Sequence, residues 1–442
     1  MYQINSQNTT AQSAETRINY SEPTTYRNLI SSAIKGSRSW ISAFMVLITF
    51  LSISGCDNEG VVGEGLNPGG ERIETNTYFI NNIEVLEGNS FSGRLGNSAV
   101  GIVDDPAYGT IISSSLLKPT INPTGVDEMQ QNYTLKLQIE FNPLKYGEEN
   151  SVSEYEIYEI SERWRGQQIT YNNPILIDVD SQRLGSFQVT DETSVEVAID
   201  EDWVDRYRKY FNSEAADRDS VYRFQFHGLA VVPANQNRKI DFMRHEPASS
   251  DTAGTRITRF LMHNEQDSLI ADIPLLDFGT SMERTDVPER DGNFVLHNTM
   301  ENILKVDLGI DPEEFRGKEI VNAQIIFDID PTPSNTVPPG FTRPGTDLVR
   351  YHFFRSDPLD LSSELFARSP ANFASLNEEQ QQFKLNVSNY FIDTMFGDIE
   401  LTPLYFTNQS NNGLFYSTTL LGTEAPENQR PRLIITTINP EN

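Results

Sequence analysis

From Tyr78 onward, apolar and polar residues alternate in short runs separated by Pro and Gly clusters. The clearest run is 133–141. Tyr133, Leu135, Leu137, Ile139 and Phe141 face one way, and Thr134, Lys136, Gln138 and Glu140 the other. A period of two is that of a half-buried strand. Similar runs predict strands at 155–160, 194–199, 222–232 and 255–262, then at 320–329, 348–354, 383–387, 413–419 and 433–438. Helical patterning is confined to 202–211 and 361–367. Many short strands with irregular connections predict an all-β chain of two tandem β-sandwich, jelly-roll-like domains.

The halves read as a diverged internal duplication. Tyr133–Phe141 matches Val321–Ile329, and Tyr155–Ile160 matches Leu348–Phe354. Val195–Tyr207 matches Leu385–Phe391, Gly228-Leu229 matches Gly413-Leu414, and Thr255–Met262 matches Arg432–Ile438. This places domains at 75–262 and 291–442, with a polar linker at 263–290.

A different pattern precedes the strands. Lys35 and Arg38 flank a thirteen-residue apolar run, Ile41–Ile53, followed by Ser54-Gly55-Cys56. The run suits a signal-peptide core and is too short to span a bilayer as a helix. Ile53-Ser54-Gly55-Cys56 resembles the lipobox of bacterial lipoproteins. That resemblance implies cleavage after Gly55 and lipidation of Cys56, the one cysteine of the chain. Residues 1–55 then form a leader, and 56–74, rich in Gly, a flexible tether. The expected address is the outer membrane, facing the periplasm or the exterior, with the lipid anchor as the contact with membrane.

Charge narrows the partners. The chain carries −29, and removing 1–55, with four basic residues and two acids, leaves −31. Nucleic acid is excluded as a partner, since phosphate binding is driven by Lys and Arg releasing counterions. A basic patch on anionic lipid is equally disfavoured.

Leu95-Gly96 and Val100-Gly-Ile-Val-Asp-Asp-Pro-Ala-Tyr-Gly109 resemble a passage of the Bacteroidota lipoprotein family named domain of unknown function 4270. Tyr155–Trp164 and Ile169–Asn173 are similar to the same family and to disaggregatase-related, carbohydrate-module-like sandwiches. Arg430–Thr436 resembles their last strand. The second half departs from this pattern, with Tyr351-His-Phe-Phe354 where a Trp would stand. The resemblance implies a fold and an envelope address; it implies no activity.

Candidate chemistry is sparse. No nucleophile, phosphate-loop or zinc-protease motif occurs, and His227, His245, His263, His297 and His352 are dispersed. No catalytic residue, metal ligand or cofactor is assigned. Asp178 with Asp180, and Asp328 with Asp330, have the i, i+2 spacing that puts two carboxylates on one strand face, for calcium or for glycosidase chemistry; solvated strand ends are the plainer reading. Trp164, Trp203, Tyr146, Tyr158 and Tyr171 are candidates for a sugar platform. The loop 164–173 is the best local site, with rings from Trp164 and Tyr171 and amides from Asn172 and Asn173. Core filler is the competing reading of those rings. Ser220, Thr252, Ser268 and Thr394 each follow an Asp, resembling the tripeptide that Bacteroidota glycosylate. The expected function is a non-enzymatic envelope or glycan-binding module with a glycan or envelope protein as partner; the alternatives are an extracellular polysaccharide hydrolase and a calcium-dependent adhesin.

Overall fold

The computed structural model describes residues 72–234, 236–246, 257–289, 292–346, 348–356, 358–396, 401–409 and 411–439. Gly55, Cys56 and Thr252 lie outside the described residues, as do the leader and nearly all of the expected tether. The described residues belong to one unit, Gly70–Asn442.

In chain order, β1 (Arg72–Phe79) and β2 (Asn82–Glu87) form an N-terminal arm. The first half follows: β3 (Asn97–Asp105), β4 (Gly109–Pro119), β5 (Thr134–Glu148), β6 (Ser153–Glu159), β7 (Arg183–Val189), β8 (Ser194–Ala198), β9 (Leu229–Pro233), β10 (Lys239–Arg244) and β11 (Arg259–His263). A second arm is β12 (Leu269–Ile273) and β13 (Leu275–Thr285). The second half holds β14 (Phe294–His297), β15 (Asn302–Asp307), β16 (Glu319–Asp328), the two-residue β17 (Phe341–Thr342), β18 (Leu348–Phe353), β19 (Asn372–Asn377), β20 (Gln382–Asn386), β21 (Leu404–Asn408), β22 (Ser417–Leu420) and β23 (Arg432–Asn439). All the ladders between these strands are antiparallel, and the fold is all-β, two curled sheets with a core in each.

The halves share one strand order. β12-β11-β5-β8 in the first matches β1-β23-β16-β20 in the second. β13-β4-β9-β6-β7 matches β2-β15-β21-β18-β19. β3 pairs with β10 as β14 pairs with β22. A helix follows β8 (Glu201–Phe211) and another follows β20 (Ser388–Phe396). The internal repeat read from the sequence is therefore present in the topology, with one pairing corrected. Gly228 precedes β9, whose counterpart β21 ends before Gly413, so these glycines are not equivalent.

Each core fills the space between facing runs. In β5, Leu135, Leu137 and Ile139 are buried, as their alternation predicts, against Tyr155 and Ile157 of β6 and Val231 of β9. Ile325 and Phe327 of β16 meet Tyr351 of β18 and Phe406 of β21 in the same way. The helix Glu201–Phe211, capped by the Asp200 side chain, closes the first core. Its Trp203 is fully buried and stacks on Phe260 and Tyr207.

Four expectations are corrected. The segment 222–232 is not one strand: Arg218–Gln225 is helical, and only Leu229–Pro233 is extended. Tyr222, Phe224 and Phe226 mimic a period of two, but Tyr222 and Phe226 share a helix face and stack at 5.1 Å, while Phe224 is exposed. The stretch 263–290, expected as a linker, carries β12 and β13, and β13 pairs with nearly the whole of β4. Domain limits at 75–262 and 291–442 consequently split sheets: 269–285 completes the first half, and 72–87 completes the second. The strand β1 starts at Arg72, inside the stretch expected as tether.

Candidate functional site

The structure closes the loop 164–173, the best local site in the sequence. Trp164 and Tyr171 are 4% and 2% exposed. Trp164 packs among Leu116, Tyr158, Ile160 and Val232, and its indole N–H donates to the His227 carbonyl at 2.7 Å. Tyr171 meets Phe415 edge-on, and burial pushes its phenol far above the ordinary value. The Asn172 amide donates to the Gly88 carbonyl at 2.8 Å, and only the Asn173 side chain is left at the surface without such a bond. A sugar face needs an uncovered ring, so this loop is no stacking platform; Trp203, Tyr146 and Tyr158 are buried too. Gly166 serves close packing here: a Cβ would stand 2.9 Å from Asp277 Oδ1 and 3.0 Å from the Phe278 carbonyl oxygen. Trp164→Ala is expected to cost roughly 3–5 kcal/mol, read as a fall in the denaturation midpoint.

The Asp328 and Asp330 carboxylates are engaged within the fold. Asp328 accepts from Arg432 at 2.6 Å and Gln382 at 2.7 Å, and Asp330 from Asn293 and the Thr332 N–H. Asp178 accepts from the Asp180 N–H in an exposed turn. No group of three potential metal-binding side chains occurs among the described residues. Of the residues that follow an Asp, Ser220 and Ser268 are exposed, while the Thr394 hydroxyl donates back to Tyr390 and Phe391 of its own helix.

The histidines stay apart. Burial holds His245 down at about 3, beside Ser98 and stacked on Phe278. Burial, then the charge of Arg350, holds His352 at about 4. His297 Nδ1 lies 2.7 Å from Ser417 Oγ, with Glu301 3.7 Å from Nε2. This resembles a nucleophile with its base, but Arg284 grips both Glu301 oxygens at 3.0–3.1 Å and draws the carboxylate into its own ion pair.

Two cavities lie where the halves meet. A cleft of about 620 Å³ is lined by Ile102, Asp104, Glu148, Asn150, Ser151, Asn237, Arg238 and 338–341. A second, of about 400 Å³, is lined by Tyr108, Asp330, Arg343, Thr346, Ser417 and neighbours. Phe341 borders both. It sits on β17, which the second half lays against the end of β5.

Behind Tyr108 and Arg343, which line the second cavity, stands Asp105, the acid of the Asp-Pro-Ala-Tyr-Gly turn linking β3 to β4. Asp105 Oδ1 accepts from the Ala107 and Tyr108 N–H groups, which closes the turn, and Oδ2 accepts from the Tyr146 hydroxyl at 2.6 Å. Gly109 has φ of +82°, and a Cβ there would strike the Thr285 carbonyl, which accounts for the turn's last residue. From the other half, Arg343 grips both carboxylate oxygens at 2.6 Å. Its guanidinium carbon lies 5.3 Å from the Tyr108 ring centre and 5.9 Å from that of Phe341. Burial pushes the Asp105 carboxyl up, but hydrogen bonds from Arg343, Tyr146 and the Ala107 N–H outweigh it and hold it below the usual carboxylate value. Burial and the Asp105 charge push Tyr146 well up. The larger cleft offers Asp104, Asn237, the exposed Glu148–Arg238 ion pair and the half-buried Phe341 ring, a mixed lining that suits hydrogen bonding to a polar chain.

No protein-family model matches the chain, and no curated protein matches it. Among solved structures, the VP2 subviral particle of infectious bursal disease virus aligns with 89% of this chain and 81% of its own. The identity is 9% and the TM-score 0.10, too low to define a shared fold.

Proposed function

We propose that the chain is a bacterial outer-membrane or cell-surface lipoprotein of the Bacteroidota type, lipidated at Cys56. In this reading it acts as a non-enzymatic envelope module, structural or glycan-binding. The observation that carries the reading is the passage from Lys35 to Cys56: a positive flank, thirteen apolar residues and Ser54-Gly55-Cys56. Two or three acyl chains on one cysteine would anchor firmly where a single chain holds only marginally. The fold supports the reading from the other side. Fifteen residues lie between Cys56 and Arg72, where the chain enters β1 and pairs along eight residues with β23. An anchor at Cys56 would therefore act on a strand built into the second half. The junction cleft is the surface for a glycan or an envelope protein, because its lining combines carboxylates, amides and an arginine with the Phe341 ring.

Cys56→Ala tests the anchor. The wild-type chain is expected to partition into detergent with a mass that includes acyl groups on a residue-56 amino terminus. The variant is expected to stay uncleaved or become soluble. A variant that fractionates with membrane at an unchanged mass removes the reading.

A further inference from the structure

On a chain with 63 acids and 34 basic residues, three arginines stand together without a carboxylate partner among the described residues. Arg163 and Arg165 flank Trp164, and Arg223 lies in the last turn of the helix Arg218–Gln225. The guanidinium carbons of Arg163 and Arg165 are 4.3 and 5.0 Å from the ring centre of Phe224, which is 44% exposed. Arg165 and Arg223, with Arg94, Gln167, Leu276 and Asp277, line a pocket of about 100 Å³.

The charge in that pocket does not balance. Its one carboxylate, Asp277, already accepts from Arg94 Nε at 2.7 Å and from the Gly166 N–H at 3.3 Å. Three guanidiniums against one carboxylate leave two positive charges unopposed. A further cation stands behind them. The Lys118 ammonium, on a side chain almost wholly buried, donates to the Tyr222 and Arg223 carbonyls at 3.4 and 3.1 Å. Burial, and after it the crowding by Arg165, Arg223 and Arg163 against the opposing pull of Asp277, holds that ammonium at about 8. Like charges gathered in one place oppose the fold unless something compensates them.

We propose that this pocket binds a tetrahedral oxyanion, a phosphate or sulfate group. Such a dianion matches the two unopposed charges and presents three or four acceptor oxygens to donors that arrive from separate residues. A carboxylate would leave one charge unmatched and offers only two oxygens. Arginine suits the task because its planar fork gives paired donors. The volume equals about three waters at ≈ 30 Å³ each. It holds the charged group itself and leaves whatever bears that group outside. The site is separate from the junction cleft and does not depend on the anchor.

The test is calorimetric titration of the full chain, in a phosphate-free maltoside detergent, with inorganic phosphate and with sulfate at constant ionic strength. Saturable binding of at least one is expected. Arg165→Ala with Arg223→Ala should weaken it at least tenfold, while Arg316→Ala, at a distant exposed ion pair, should leave it unchanged. Arg223→Gln alone, on an exposed side chain, keeps the test informative should the double variant fail to fold. It should weaken binding severalfold. No saturable heat with either anion, equal binding by the Arg223 variants and the wild type, or equal competition by acetate would each overturn the proposal.

Discussion

Replacing Asp105 with Ala is expected to cost about 3–5 kcal/mol, because the substitution leaves the Arg343 guanidinium buried without its counter-charge. The side chains of Asp105 and Arg343 are 0% and 6% exposed, so water replaces the lost carboxylate only from the cavity side of the guanidinium. The Tyr146 hydroxyl and two turn N–H groups lose their acceptor as well. Chemical denaturation followed by circular dichroism measures the loss. The cycle is informative: Asp105→Ala with Arg343→Met removes both charges and should recover a substantial part of the cost. If the double variant is as unstable as the sum of the singles, the ion pair is not what the site contributes. The pH dependence has a fixed sign. The folded carboxyl sits below its unfolded value, so its contribution is complete above that value, near 3.8, and is lost as pH falls through the folded one. The wild type should therefore weaken below about pH 4 more steeply than the double variant.

That site shows where sequence reading stops. The Asp-Pro-Ala-Tyr-Gly passage was conspicuous, and its turn is local: Asp105 binds the N–H groups two and three residues on. Its partner Arg343 lies 238 residues away in a Pro- and Gly-rich stretch without periodic pattern. No local rule connects the two. The same limit explains the loop 164–173. Residue types alone allow two exposed rings or two buried ones, and the choice was made by β4 and β9, which cover Trp164, and by Phe415, which meets Tyr171.

Strands with one buried face were legible because alternation is a local signal. β20 follows it residue by residue, and β5 follows it from Thr134 to Ile139, whereas β16 loses it from Ile325 to Asp328, where every position is buried. β3 and β10 carry no such signal, since nearly every position along them is buried and the period disappears. β12 was hidden for the opposite reason. Leu269 and Ile270 are both exposed, so its apolar residues mark no face. The repeat was legible in order but not in extent, because the arm completing each half is not where a sequential division puts it. β12–β13 follows its own half directly, whereas the second half is completed by β1–β2 from the other end of the chain.

That closure makes the second large prediction. A chain beginning at Gly88 is expected to lose the stability of its second half while the first half stays folded. The arm covers two edges at once, eight residues of β1 along β23 and six of β2 along β15. Without it, both strands present unpaired N–H and C=O groups. Ile80 between the two strands is 2% exposed, and Tyr78 and Ile83 pack on the second core beside it. Burying a side chain like Ile80 contributes about 1.5–3 kcal/mol by itself. The first half has its own arm within 97–285, and that arm is not touched. Hydrogen exchange resolves the two halves in one experiment. Amides of β15, β16, β21 and β23 should lose protection by several orders of magnitude, while those of β4, β5 and β9 keep theirs. Even loss across both halves would mean that the junction at Asp105 and Arg343, rather than the arm, holds the second half together. Undiminished protection in β23 would mean that the N-terminal strands only decorate a sheet already complete without them.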